Sequence, residues 1–282
     1  EPTERAPDLL FAFAGTLALA RQYGSAAEIL EGLVANREYC LKKPETCYLY
    51  GICLLKQSDF AAAQKQLESV LRGKPPRLLR APTQYQLACA SAGAGDFKRA
   101  LDVFQQFLEE WPNHELAESA RYRTGLLSLL LKKPDTALVL LKKVSASDPS
   151  AAEAASFYAG IAQLRSSNPE NAAHVFAALA GDNLSNAELG DNIVLGQGLA
   201  EFELGDSQRA EQVFKRFLLH FSDSDLLDAA LFFAASTQYR QNKFEEAAKV
   251  YKSLASLFPS SGLYAPAMAW TGACGGKLNH PE

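Results

Sequence analysis

An internal repeat of about 37 residues runs through the sequence and constrains its fold more than any other feature. Small residues recur at this period, and an alanine stands twelve positions after each of the first seven. The small residues are Gly15, Gly51, Ala88, Gly125, Gly160, Gly198, Ala235 and Gly272, and the alanines are Ala27, Ala63, Ala100, Ala137, Ala172, Ala210 and Ala247. A fixed period of this length predicts an array of repeated units, in which each unit packs against its neighbours.

Each repeat has the pattern of two antiparallel helices joined by a tight turn. Twelve residues between two small side chains place both at the helix crossing, where the backbones approach closely. Residues that cap helix N-termini stand where the second helix would begin, and prolines stand where it would end. The caps are Asp59, Asp96, Asn168 and Asp206, and the prolines are Pro75, Pro112, Pro149 and Pro259. Because the chain is also rich in alanine and poor in β-branched residues, we expect an all-α protein.

The charge balance and hydropathy argue against nucleic-acid binding and membrane insertion. The chain has 28 Lys and Arg against 32 Asp and Glu, a net charge of −4, which is unfavourable for binding phosphate backbones. The long apolar stretch near the start, residues 9–20, is shorter than the roughly 20 residues that span a bilayer. Since residue 1 is Glu, we expect a processed or trimmed chain from which any signal peptide or lipid anchor has been removed.

No group of residues has the spacing of an active site, a metal site or a cofactor site. The histidines His114, His174, His220 and His280 lie in unrelated phases of the repeat, without nearby Cys or carboxylates at metal-ligand spacing. The sequence has neither a phosphate-binding glycine loop nor a GxSxG motif. We therefore expect a non-enzymatic protein without metal or cofactor.

The five cysteines, Cys40, Cys47, Cys53, Cys89 and Cys274, are neither an even number nor arranged as a disulfide framework. We expect free thiols. Cys40 and Cys47 are close enough in sequence to form a disulfide across a loop, so the state of this pair stays open.

The repeat resembles the tetratricopeptide repeat (TPR), which has a small residue at position 8, Ala at 20, a large apolar residue at 24 and Pro at 32. Position 24 is apolar here in six repeats: Leu67, Phe104, Leu141, Phe176, Phe214 and Tyr251. The extra three residues per repeat follow the proline, as in the longer repeats of bacterial TolA-binding and outer-membrane-assembly lipoproteins. This resemblance implies a right-handed α-solenoid, and favours a periplasmic or outer-membrane-associated location over a cytoplasmic one.

The prediction is a single solenoid over residues 1–282, with seven helix pairs and a terminal helix. The pairs cover 8–39, 44–75, 81–112, 118–149, 153–181, 187–222 and 228–259, and the terminal helix covers 266–277. The joint at 181–186 has polar turn formers in place of proline, which predicts either a longer surface loop or a break in the superhelix.

The resemblance implies that the first helix of each pair lines a concave face. On these helices the chain carries mainly aromatic and aliphatic residues at positions 5, 9 and 12. The predicted partner-binding residues are Tyr48, Ile52, Tyr85, Tyr122, Leu126, Phe157, Leu195, Phe202, Phe232 and Tyr239. Such a surface either binds a partner or is covered by neighbouring first helices. The leading hypothesis is a scaffold or adaptor protein that binds an extended or helical apolar peptide.

Two alternatives stay open: a structural repeat module that forms homo-oligomers, and a regulatory arm of a larger enzyme or of an envelope or secretion complex. The terminal helix bears on the first alternative, because Met268, Trp270, Ala273 and Cys274 spread over most of its circumference. We expect that the chain continues beyond Glu282 or that this helix packs against a partner, including a second copy.

A basic run lies between the second and third helix pairs. It consists of Arg72, Lys74, Arg77 and Arg80. The run either docks an acidic partner segment or is a solvated loop.

Overall fold

The computed structural model describes residues 2–144, 149–181 and 189–279. In these ranges the regular secondary structure is helical, with sixteen α-helices and no strand. The predicted all-α solenoid of helix-turn-helix repeats is therefore confirmed. The joint at 181–186 lies outside the described residues, except for Gly181.

The helices fall into two compact units, Glu1–Lys133 and Pro134–Glu282, called here unit 1 and unit 2. The helices of unit 1 are α1 Pro2–Leu19, α2 Tyr23–Val34, α3 Arg37–Lys42, α4 Pro44–Lys56, α5 Phe60–Arg72, α6 Arg77–Gly93, α7 Phe97–Glu110 and α8 Ala117–Leu130. The helices of unit 2 are α9 Pro134–Leu141, α10 Pro149–Arg165, α11 Pro169–Leu179, α12 Gly190–Leu204, α13 Ser207–His220, α14 Leu227–Arg240, α15 Phe244–Leu257 and α16 Tyr264–Asn279. The boundary between the units falls inside the fourth predicted repeat. That residues 1–282 form one single solenoid stays a prediction.

Within each unit, a second helix packs against its own first helix and against the first helix of the next repeat. In unit 1, α2 contacts α1 and α4, and α5 contacts α4 and α6. In unit 2, α13 contacts α12 and α14, and α15 contacts α14 and α16. Each of these four second helices joins two neighbouring repeats of its unit, as expected for a stacked array.

Several element boundaries differ from the sequence prediction. α1 and α6 begin at Pro2 and Arg77 rather than at residues 8 and 81, and Pro149, predicted to end a second helix, instead begins α10. Two further differences concern α3 and α16. The six residues of α3 form a helix that the period did not predict, and the Asn36 side chain caps it by accepting a hydrogen bond from the Tyr39 N–H. The terminal helix α16 starts at Tyr264 and ends at Asn279, so it extends two residues beyond each predicted end. Both differences arise because local capping and turn residues fix helix ends, and the period does not.

The predicted caps form where the turns between paired helices require them. The side chains of Asp59, Asp96, Asn168 and Asp206 each accept a hydrogen bond from the backbone N–H three residues later. The residue before each cap has a left-handed φ, with Ser58 at 64° and Gly205 at 80°. A left-handed residue followed by a capping residue reverses the chain within a few residues.

The repeated alanines and small residues form the helix crossings. Six of the alanines are fully buried, and Ala27 is 8% exposed. At three crossings, those of Gly51, Gly160 and Gly198, the glycine gives room to the large residue at position 24 of the same pair. A Cβ on Gly51 would lie 2.9 Å from Leu67 Cδ2, and a Cβ on Gly198 would lie 2.5 Å from Phe214 Cε1. The small residue therefore allows the partner helix to insert its largest side chain.

Serine–aspartate hydrogen bonds link consecutive repeats in unit 2, and they use the extra residues of the longer period. Ser224 donates to Asp191 Oδ2 at 2.6 Å, and the Ser224 Oγ also accepts the Leu226 N–H at 3.0 Å. Ser261 makes the equivalent bond with Asp228, one repeat later. The segments that precede α14 and α16 thus connect each of these two first helices to the first helix before it.

An ion-pair cluster links α13 to the start of α15. Glu211 accepts hydrogen bonds from Lys215 Nζ at 2.6 Å and from Lys243 Nζ at 2.9 Å, and 16% of its side chain is exposed. The bonds from Lys215 and then Lys243 lower the pKa of Glu211 from its ordinary 4.5 to about 2. The carboxyl group of Glu211 is therefore more acidic in the folded chain than in the unfolded chain.

This pKa shift predicts a pH-dependent contribution to stability. A carboxyl whose pKa is lowered by folding stabilises the fold above its unfolded pKa, and the contribution is lost as pH falls from about 4.5 through about 2. Because both lysines are largely exposed, we expect roughly 1 kcal/mol from the cluster. Urea unfolding should show Glu211→Gln less stable than wild type at pH 6, with the difference largely lost at pH 2.

The matched control for this prediction is Glu245→Gln. Glu245 pairs with Lys249 on α15 at the same i,i+4 spacing, but 69% of its side chain is exposed. We expect a smaller change for this variant at every pH. A difference between wild type and Glu211→Gln that is equal at pH 6 and pH 2 would show that the ion pairs do not contribute.

Candidate partner-binding site

The predicted partner-binding residues lie on the first helices of their repeats. Tyr48 and Ile52 are on α4, Tyr85 on α6, Tyr122 and Leu126 on α8, Phe157 on α10, Leu195 and Phe202 on α12, and Phe232 and Tyr239 on α14. Three of them are buried, namely Tyr85, Phe157 and Phe202, and the other seven are half-buried. The buried three are held by contacts inside their own unit.

Tyr85 is fixed within unit 1 by both its ring and its hydroxyl. The ring packs edge-on against Phe104 and Phe107, with centroid distances of 5.5 and 5.9 Å. The hydroxyl accepts a hydrogen bond from Arg123 Nε at 2.9 Å and shares another with Ser119 Oγ at 2.7 Å. With 6% of the residue exposed, Tyr85 stabilises the core of its repeat.

Phe157 has a similar position in unit 2. Its ring lies 5.1 Å from the Tyr158 ring and 5.9 Å from the Phe176 ring, between centroids. Phe176, at position 24 of the same pair, is fully buried. Phe157 therefore belongs to the core of the fifth repeat, beside its helix crossing.

Three of the predicted residues come together in unit 2 around a cavity of about 210 Å³. We call this cavity the aromatic pocket, and its lining residues are Phe202, Phe232, Phe233, Ser236, Tyr239, Arg240, Tyr251 and Trp270. Helices α12, α14, α15 and α16 each contribute to it. Consecutive repeats therefore build one concave apolar site, which is the usual form of a ligand pocket.

Edge-to-face ring contacts fix the walls of the aromatic pocket. The Phe202 and Phe232 rings lie 5.6 and 5.5 Å from the Phe233 ring, between centroids. The Tyr239 and Trp270 rings lie 4.9 Å apart at 71°. Such pairs contribute about 0.5–1.5 kcal/mol each beyond their buried area, so the walls are preformed.

Polar groups of Arg240, Tyr251 and Ser236 belong to the otherwise apolar lining of the pocket. The Arg240 guanidinium lies 3.4 Å from the centroid of the Phe202 ring, and its Nη1 donates to the Phe202 carbonyl oxygen at 2.5 Å. The Tyr251 hydroxyl shares a 2.8 Å hydrogen bond with Ser236 Oγ, and burial raises the Tyr251 pKa to about 12. The phenol is therefore neutral, and Arg240 supplies a positive charge at the exposed side of the pocket.

The sequence prediction included Phe202, Phe232 and Tyr239 but missed Phe233, Arg240 and Trp270. Arg240 follows Tyr239 directly, at position 13 of its repeat, which also lines the first-helix surface in this class. Trp270 is one of the two tryptophans of the chain. Both signals were present in the sequence, but positions 5, 9 and 12 alone do not include them.

The predicted basic run separates into two parts in the structure. Arg77 lies over the Trp111 ring, with its Cζ 5.3 Å from the centroid, and Arg80 pairs with Glu110 at 3.0 Å. Arg72 and Lys74 instead line a second cavity, of about 650 Å³, in unit 1. Half of the run therefore makes contacts within its own repeat, and half faces a cavity.

The terminal helix α16 buries Ala267 and Cys274 and exposes several large apolar side chains. The exposed residues are Tyr264, Met268, Trp270 and Leu278, each between 40% and 52% exposed. Met268 and Trp270 therefore lie on the apolar outer surface that the sequence predicted, whereas Cys274, which the prediction also placed there, packs in the core.

The described part of the chain contains neither a metal-binding cluster nor a membrane-spanning helix. Three or more His, Cys, Asp or Glu residues do not come together there in a group that could hold a metal ion. Among the same residues, no helix has both the length and the hydropathy needed to cross a bilayer.

Solved structures with the same fold come from several repeat proteins. The C-terminal part of a TPR repeat-containing protein from Cytophaga hutchinsonii superposes with a TM-score of 0.70 at 14% identity, covering 91% of this chain and 98% of that one. The apo form of RapI gives a TM-score of 0.66 at 12% identity, with 94% and 79% covered. YrrB, described as a TPR protein with an unusual peptide-binding site, gives 0.51 at 16% identity, with 67% and 92% covered.

Sequence comparison gives the family directly. A search among curated proteins gives no match. The tetratricopeptide repeat family model matches residues 85–152, 157–225 and 195–262, which together make up more than half of the chain. The helix pairs, their caps and their crossings agree with this match along both units. The chain belongs to the tetratricopeptide repeat family.

Proposed function

We propose that this protein is a scaffold that binds a partner peptide through the aromatic pocket of unit 2. Membership of the TPR family supports a protein-interaction scaffold in general, and such scaffolds are typically non-catalytic. The observation that carries the proposal is the pocket itself, in which residues of three successive first helices surround an open apolar cavity. YrrB, which has a similar fold, also carries a peptide-binding site.

The size of the pocket favours a single side chain as its occupant. At about 210 Å³ it is smaller than the roughly 300–1,000 Å³ of typical small-molecule sites. Its walls are rings, which bury a large apolar area at low entropic cost. A phenylalanine or leucine of a peptide is the kind of anchor that such a pocket accepts.

The positive charge of Arg240 favours an acidic residue in the peptide next to the apolar anchor residue. A guanidinium binds carboxylates with paired, charge-assisted hydrogen bonds. The proposed ligand is therefore a peptide in which a large apolar residue is adjacent to an acidic residue. A basic neighbour would be repelled by Arg240.

The test is a titration of the full chain with the acetylated peptide Gly-Ser-Phe-Glu-Ser-Gly and with versions in which Phe is replaced by Ala or Glu by Gln. Trp270 lines the pocket, so its fluorescence in a Trp111→Phe background reports binding. Trp270→Ala should weaken binding by about tenfold or more, measured by calorimetry because the fluorescent group is lost. Arg240→Gln should weaken the Glu peptide by about tenfold and leave the Gln peptide unchanged.

The matched control is Leu257→Ala, which removes an exposed apolar side chain (63% exposed) of unit 2 outside the pocket. It should bind every peptide like wild type. The proposal is wrong if the Phe and Ala peptides bind equally well, or if Trp270→Ala binds like wild type while circular dichroism shows an intact fold.

Self-association through α16 is a second candidate function, favoured by the exposed Met268 and Leu278. We infer a second copy of the chain as the partner, because the exposed residues are apolar and Lys277 is the nearest charge on the helix. Sedimentation should then show a concentration-dependent dimer that Met268→Glu disrupts. A monomer at high concentration would contradict self-association through α16, and peptide binding would then be the one remaining proposal.

Location in the periplasm or at the outer membrane stays a prediction. Fractionation of the source cells with an antibody against the chain tests it.

A further inference from the structure

Two cysteines of unit 1 lie next to each other at the end of a cavity. Cys40 is on α3 and Cys47 is on α4, and their Sγ atoms are 2.7 Å apart. Cys40 Sγ also lies 3.8 Å from the carbonyl oxygen of Val34. Both cysteines are free thiols in this structure. This is the pair that the sequence left open as a disulfide.

The two thiols differ in their access to solvent. Cys40 is half-buried, whereas Cys47 is 7% exposed. Burial raises the pKa of the Cys47 thiol to about 12, and the contact with Cys40 adds to the effect. Cys40 is therefore the more accessible of the two thiols to a reagent.

The cavity beside the pair is large and basic. Its volume is about 650 Å³, within the range of small-molecule sites. Besides both cysteines, its lining includes Arg37, Lys42, Arg72 and Lys74, and no carboxylate lines it among the described residues. Glu38 pairs with Lys42 at 2.7 Å, so one of these four positive charges is partly neutralised. The remaining charge favours an acidic ligand beside the thiols.

We propose that Cys40 and Cys47 form a thiol–disulfide exchange site whose substrate is an acidic disulfide. Cys40 loses its proton to water, and its thiolate attacks one sulfur of the ligand disulfide. The ligand S–S bond breaks, one ligand thiolate leaves and takes up a proton, and a mixed disulfide remains on Cys40.

Cys47 completes the exchange. After losing its proton, its sulfur attacks Cys40 Sγ and displaces the second ligand thiolate, which takes up a proton. Two protein thiols are thereby oxidised to one disulfide, and one ligand disulfide is reduced to two thiols. The new bond joins α3 to α4, two helices that only Lys43 separates in the sequence.

The first experiment tests the order of the two attacks, with oxidised glutathione as the probe. The reduced full chain is incubated with it, quenched with acid and analysed by peptide mass mapping. Wild type should form the Cys40–Cys47 disulfide with a loss of two hydrogens. Cys47→Ser should retain one glutathione on Cys40, and Cys40→Ser should carry none on Cys47. A wild-type chain without the Cys40–Cys47 bond would overturn the proposal.

The second experiment tests the preference for an acidic ligand by comparing oxidised glutathione with cystamine, a cationic disulfide. Arg72→Gln removes a charge from the cavity wall, whereas the control Arg77→Gln removes one from a residue packed on Trp111. Arg72→Gln should slow the reaction with oxidised glutathione on the order of threefold and should not slow the reaction with cystamine. Arg77→Gln should change neither rate. Equal rates for Arg72→Gln and wild type with oxidised glutathione would overturn the proposal that the substrate is an acidic disulfide.

Discussion

Replacing Phe214 by alanine should lower the free energy of unfolding of unit 2 by about 3–5 kcal/mol. Phe214 is fully buried at position 24 of its repeat, and its ring stacks on that of Phe233 at a centroid distance of 6.4 Å. The ring fills space left by Gly198, where even a Cβ would lie 2.5 Å from it. Truncation removes the burial and leaves a cavity between two helices that cannot close without shifting the backbone.

Urea unfolding followed by far-UV circular dichroism measures this loss. Leu219→Ala is the control, because Leu219 lies on the same helix and is 76% exposed, so its change should stay within about 0.5 kcal/mol. A Phe214→Ala cost below about 1 kcal/mol would contradict the packing described here.

A double-variant cycle isolates the contact between Phe214 and Gly198. Gly198→Ala alone should destabilise the fold, because its Cβ overlaps the ring. In the Phe214→Ala background the same Cβ has space, so the second substitution should cost less than it does alone. Additive costs would show that the two residues do not share one crossing.

Ala63→Leu should destabilise unit 1 by roughly 3 kcal/mol. Ala63 is fully buried on α5, where α5 crosses α4. A Cβ on Gly51 of α4 would lie 3.8 Å from the Ala63 carbonyl oxygen, so the two backbones are already in close approach. A leucine side chain there must push the helices apart or displace its neighbours.

The matched control is Ala61→Leu, two residues earlier on the same helix. Ala61 is exposed, so leucine there changes neither the crossing nor the helix propensity by much. Thermal unfolding should show a lower midpoint for Ala63→Leu and a midpoint near wild type for Ala61→Leu. Similar midpoints for both variants would mean that Ala63 does not lie at the crossing.

The sequence predicted the helix pairs because the determining residues are close together and recur. A small residue followed twelve positions later by an alanine specifies one helical hairpin and occurs seven times, and a capping residue stands between the two in four of these repeats. The short helix α3 has no such recurrence, because it occurs once and depends on a single Asn36 cap. The boundary between units 1 and 2 was not predicted either, because Lys133 and Pro134 resemble the other turns.

The candidate site was predicted in part, because a position in a repeat tells which helix face a residue occupies but not its neighbours. Tyr85 and Tyr239 are both aromatic first-helix residues, yet Tyr85 is enclosed by Phe104 and Phe107, whereas Tyr239 lines an open pocket. The difference comes from side chains on adjoining helices. That Trp270 and Arg240 line the pocket depends on how the adjoining helices pack, which a position in the repeat does not specify.

The serine–aspartate bonds of unit 2 bear on how such a chain evolves. Asp191 and Asp228 are one period apart, and so are their partners Ser224 and Ser261. Duplication of the gene segment that encodes residues 191–227 would supply both halves of another bond in the correct register. An insertion of another length inside these helices would shift a serine out of register with its aspartate, so a whole repeat is the unit of length that preserves the bonds.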